Sequence, residues 1–138
     1  MSHAISITRA LRGAVLAVLV AGCTSSPAGN GDSAGRTAAD GESFAMQPGE
    51  SVTLSDDSTL RYVDVKSDSR CMPGLQCIHA GNAVVAFELR RTGGGVQSFE
   101  LNSPDQPQSR DMGSLRVTLQ SLAFGVTPRA QLKVERIN

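Results

Sequence analysis

Three stretches of the chain alternate apolar and polar residues with a period of two. Ala83, Val85, Phe87 and Leu89 fall on one face, with Val84, Ala86, Glu88 and Arg90 on the other. Leu115, Val117 and Leu119 alternate with Arg116, Thr118 and Gln120, and Ala130, Leu132 and Val134 alternate with Gln131, Lys133 and Glu135. That period marks a β-strand with one face buried. Thr59 to Lys66 is less regular: Leu60 and Tyr62 share one face, and Val63 and Val65 take the other. The change of phase after Tyr62 predicts a bulge, or a strand buried partly on both sides.

The turn residues punctuate these runs. Thr92-Gly93-Gly94-Gly95 joins the first run to Val96–Asn102, where Phe99 and Leu101 occupy alternate positions, so an antiparallel hairpin is expected. Phe44-Ala45-Met46 and Ser51-Val52-Thr53-Leu54 flank a Pro48-Gly49 turn and read as short edge strands. The last two runs are joined through Leu122-Ala123-Phe124 and a turn from Gly125 to Pro128. Ser103 to Gly113, with two prolines, reads as a long polar loop. Six to eight short strands without helical spacing predict an all-β fold: a small antiparallel β-sandwich over residues 44–138, immunoglobulin-like in layout. A single sheet would leave one apolar face in water.

The first 22 residues follow a different pattern. Arg9 and Arg12 precede an unbroken apolar run, Gly13 to Ala21, which is too short to span a bilayer and has the layout of an export signal over residues 1–22. Leu19-Val20-Ala21-Gly22-Cys23 resembles the lipobox of bacterial lipoproteins. The resemblance implies a diacylglycerol on the Cys23 thiol, cleavage before Cys23 and acylation (palmitate or a similar chain) of the new amine, giving a membrane anchor. Thr24, where an aspartate would hold such proteins at the inner membrane, resembles the class directed to the outer membrane, facing the periplasm, in hosts with two membranes. Residues 23–43 would then be the lipidated cysteine and a disordered tether, small and polar throughout, with a root-mean-square reach of about 25 Å.

Composition narrows the function classes. The chain has 13 basic and 13 acidic residues; without Arg9 and Arg12 the balance is 11 against 13. No basic excess points to nucleic acid, and with no tryptophan and one tyrosine there are few stacking platforms for bases. No cofactor is expected.

The three cysteines divide into Cys23 and a pair, Cys71 and Cys77. An exported chain folds where thiols are oxidised, and Pro73-Gly74 between the pair favours a reversal tight enough for a disulfide. The alternative is a soft-metal site: Cys71, Met72, Cys77 and His79 lie within nine residues and would suit reduced copper. The C-x5-C spacing, with no helix start beside it, is a poor match to a redox dithiol. A hydrolase would have to use His79 as its base, because it is the one histidine left after the leader is removed.

At this loop the chain resembles a group of small bacterial envelope lipoproteins with an S-R-C-P…C-x-x-A-G-N-A pattern. The matching residues are Ser69-Arg70-Cys71, Pro73, Cys77 and Ala80-Gly81-Asn82-Ala83. Met72 is inserted between Cys71 and Pro73, and His79 stands where an aromatic residue is usual. The resemblance implies the fold and the envelope location, supplies no activity, and makes Asp68 and Arg70 structural groups bonding loop carbonyls and amides. The resulting expectation is a non-catalytic, lipid-anchored binding or accessory module that meets an envelope protein partner. Asp68, Arg70, His79 and Asn82 are its candidate binding residues, because recognition tends to sit on loops held by a rigid scaffold.

Overall fold

The computed structural model describes residues 35–103 and 108–138. Residues 1–34 lie outside the described part, and with them the expected export signal, Cys23 and most of the tether. The described chain forms eight strands: β1 (Ser43–Met46), β2 (Ser51–Thr53), β3 (Thr59–Asp68), β4 (Ala83–Arg90), β5 (Val96–Ser103), β6 (Gln108–Met112), β7 (Leu115–Leu122) and β8 (Ala130–Arg136). They make two antiparallel four-stranded sheets, ordered β1-β8-β7-β6 and β2-β3-β4-β5. The expected all-β antiparallel sandwich is the fold that forms.

The alternating runs supply its core. Ala83, Val85, Phe87 and Leu89 of β4 are fully buried, and so are Leu115 and Val117 of β7 and Ala130 and Leu132 of β8. Residues from both sheets belong to one buried cluster. Tyr62, Phe87 and Phe99 stand opposite one another on β3, β4 and β5, with ring centroids 5.3 Å and 5.6 Å apart. Such cross-strand aromatic pairs fix register as well as burying area, because a slip of one residue would turn every ring to solvent. The phase change in β3 is a register shift between Tyr62 and Asp64, with a second between Val65 and Ser67. As bulges do, each leaves one residue unmatched and re-aims those that follow.

Two expectations are corrected. The stretch read as a long polar loop contains β6, which pairs with β7 from Gln108↔Leu119 to Met112↔Leu115. Only Met112 of its five residues is buried, so this edge strand carries almost no apolar signal. Residues 104–107 lie outside the described part. Nor do residues 36–42, read as the end of a disordered tether, lack structure. Thr37 bridges Thr53 in parallel, Ala38 is buried, and the Asp40 carboxylate accepts the Arg136 amide at 2.7 Å. A small polar composition hid this, because backbone bonds, one small buried alanine and the Asp40 carboxylate hold the segment without any large apolar side chain.

The sandwich has two distinct poles. At one, Arg36 and Thr37 meet Thr53, next to the paired Thr59 and Arg90. At the other, β3 ends and β4 begins at the paired Asp68 and Ala83, and β7 passes to β8 at Leu122↔Ala130. The cysteine loop and the 123–129 turn therefore share the pole opposite to the one where the chain joins the body.

Candidate functional site

The cysteine loop is an outgrowth of the β3–β4 hairpin, and its neck is built from backbone. The Ser69 amide donates to the Asn82 carbonyl at 2.9 Å, and the Asn82 amide donates to the Ser69 hydroxyl oxygen at 3.2 Å. Gly81 is required by this close approach: a Cβ there would collide with the Ser69 carbonyl. At the far end of the loop, Met72-Pro73-Gly74-Leu75 turns with the Leu75 amide on the Met72 carbonyl. Gly74 has a φ of 86°, which is the geometry of a type II turn and explains the Pro-Gly pair. That reversal brings the Cα atoms of Cys71 and Cys77 to 5.9 Å, and the two sulfurs are bonded.

Arg70 fastens this covalent ring to the other sheet. Its Nε and one Nη donate to the two oxygens of Asp68 at 2.9 Å and 2.6 Å. The remaining donors reach the carbonyl of Leu122, the last residue of β7, at 2.5 Å and that of Ala123, the next residue, at 3.0 Å. The guanidinium carbon also sits 4.1 Å from the centre of the Phe124 ring. Arginine suits this task because its planar fork matches a carboxylate bidentately while still offering outward donors. The hydrogen bond from the Arg70 side chain holds the Asp68 carboxyl below the usual aspartate range, and partial burial opposes that shift. Asp68 thus orients Arg70, whose outward donors reach carbonyls at the edge of the other sheet.

The structure distributes the sequence-predicted residues unevenly. Asp68, Arg70 and Asn82 meet at the neck. Met72 borders a cleft with Arg70 and Phe124, whereas His79 borders another with Leu75, Cys77 and Ile78. The four residues of the copper alternative do not converge as a ligand set, because the disulfide consumes both thiols. Cys71 and Cys77 would offer thiolates only after reduction. Among the described residues, no group of three or more His, Cys, Asp and Glu is placed to hold a metal ion. His79 is exposed on the outer arm of the loop.

Sequence reading missed the apolar character of this pole. Met72, Leu75, Ile78, Phe124 and Val126 are all exposed, Ile78 at 95% and Val126 at 102% of their full surface. The available signal was their setting: large apolar residues scattered among Pro, Gly and Thr, outside any alternating run. Between the loop and the second sheet lies a cleft of about 300 Å³, bordered by Arg70, Cys71, Gly81, Ser103, Leu122 and Phe124.

No known protein family, curated protein or solved structure matches the chain.

Proposed function

We propose that the protein is a lipid-anchored lipoprotein of the cell envelope, outer-membrane-bound and facing the periplasm where the host has two membranes. In this reading it is a binding or accessory module without catalysis or cofactor, working through the pole that carries the cysteine loop. The observation that carries the proposal is the Cys71–Cys77 bond. A structural disulfide in a small domain belongs to an oxidising compartment, which is where the lipobox-like Leu19–Cys23 segment would deliver the chain. Pairing these two also leaves Cys23 as the odd cysteine, which the lipid would occupy. The loop is fixed at its neck by Ser69 and Asn82, across its middle by the disulfide and against the second sheet by Arg70. A surface held at three places loses little freedom on binding, which favours recognition.

Intact mass of the protein extracted from membranes tests this reading. The expected species lacks residues 1–22, carries the mass of two or three acyl chains at Cys23, and has no thiol that alkylates until it is reduced. Cys23→Ser should abolish the acyl mass. A mature chain that begins at Met1 with three alkylatable thiols would overturn the proposal.

A further inference from the structure

The apolar residues of the loop pole fit a lipid surface better than they fit a protein partner. Met72, Leu75 and Ile78 are exposed on the cysteine loop, and Phe124 and Val126 are exposed on the turn that Arg70 ties to it. All five are exposed large apolar side chains at one pole, the kind of surface that marks an interaction site. A stable protein interface takes about 800 Å² from each partner, assembled as a packed centre within a rim. Side chains as fully exposed as Ile78 and Val126 stand alone above their surroundings. A protein partner would need a pocket shaped for each, whereas hydrocarbon accommodates any shape.

Charge points the same way. Residues 69–82 and 122–129 contain no aspartate or glutamate. Their charged or titratable groups are Arg70, which is paired with Asp68, and the exposed Arg129 and His79. Nothing on the two projecting segments repels an anionic headgroup, and Arg129 is placed to attract one.

We infer that this pole is a membrane-insertion surface, with Leu75, Ile78, Phe124 and Val126 entering the boundary between headgroups and acyl chains. The inference rests on the envelope location proposed above and adds a second attachment at the end of the body away from the anchor. The geometry permits both on one bilayer. The roughly 12 residues from Thr24 to Gly35 extend to about 40 Å, and the 10 residues of β3, which run from pole to pole, cover about 33 Å. The sandwich can therefore lie along the surface with the lipid at one end and the loops at the other.

The absence of tryptophan from the chain gives a direct test. Ile78→Trp and Val126→Trp each create a single reporter on this pole, and Val96→Trp creates one on the β4–β5 hairpin at the opposite pole. The full chains, acylated and with Cys23→Ser, are mixed with vesicles of phosphatidylethanolamine and phosphatidylglycerol, with and without lipids brominated along the acyl chain. Tryptophan at 78 and at 126 should shift to the blue and lose most of its emission to brominated lipid, while tryptophan at 96 changes little. Adding Leu75→Asp and Val126→Asp to the Ile78→Trp chain should remove the quenching. Unquenched reporters at 78 and 126 overturn the inference. A blue shift in lipid-free protein whose sedimentation mass doubles overturns it in favour of a second copy, and a blue shift seen only with an envelope protein overturns it in favour of that partner. Quenching at 78 with no acyl mass on Cys23 would sink the anchor and leave loop insertion standing.

Discussion

Tyr62, the only tyrosine of the chain, joins the core to the pole that carries the cysteine loop. Its ring is fully buried beside Phe87, and its hydroxyl donates to the Pro128 carbonyl at 3.0 Å, in the turn that Arg70 grips from the other side. Burial first, and the charge of Asp64 second, push its pKa up to about 12 from an ordinary 10. A raised pKa means that the unfolded chain loses this proton more readily than the native one. Its contribution is therefore complete below pH 10 and disappears as pH rises from 10 to 12. Native protein should show almost no tyrosinate absorbance until it unfolds in that interval, and Tyr62→Phe should remove this part of the alkaline loss. At neutral pH the same variant should cost about 1 kcal/mol in denaturant unfolding, because the Pro128 carbonyl loses its partner. The inward position of the ring was legible from alternation with Leu60. Its acceptor, 66 residues further along, was not, since no local pattern encodes a contact between sheets.

Between elements, the decisive connection is Arg70 from the β3–β4 loop to the end of β7. Arg70→Lys keeps the charge but cannot span Asp68 and two carbonyls together. The expected result is faster amide exchange at Ser69 and Asn82, with a melting temperature that moves by a few degrees at most, because the core cluster is untouched. Acid should loosen the same connection. The Asp68 pKa is depressed in the native state, so its contribution is present above the ordinary aspartate value near 4 and is lost as pH falls through the lower native value. Exchange at the loop neck should therefore rise below about pH 4 in the native chain, and this acid phase should be weaker in Arg70→Lys. Strands β3, β4, β5, β7 and β8 were legible because each buries alternate apolar residues. Strand β6 was not, since Gln108, Ser109, Arg110 and Asp111 are polar residues at a sheet edge, none of them buried in the core. The assignment of β1 and β2 to different sheets was equally hidden, because four residues through Pro48-Gly49 can serve a hairpin or a crossing between layers.

For the molecule as a whole, the disulfide closes a seven-residue ring on a modest core. Reduction should lower the unfolding free energy by about 2–2.5 kcal/mol on loop-closure entropy alone, a large share of the 5–15 kcal/mol typical of a domain. Urea titration of reduced and oxidised protein should show the midpoint fall. An unchanged midpoint would mean that the reduced, unfolded chain keeps this short loop closed by itself, against the loop-closure account. The presence of two layers was legible from the number of half-buried strands, but the pairing of the ends was not. Strand β1 lies beside β8, with Phe44 opposite Leu132 and Met46 opposite Ala130. A ribosome or translocation channel delivers these partners nearly ninety residues apart, so the earliest-made strand waits for the last-made one. The β3-β4-β5 and β6-β7-β8 meanders can each zip locally, but the closing seam is the slow, long-range step. Truncation before residue 130 would leave the N-terminal edge unsewn, a target for proteases rather than a shorter working protein.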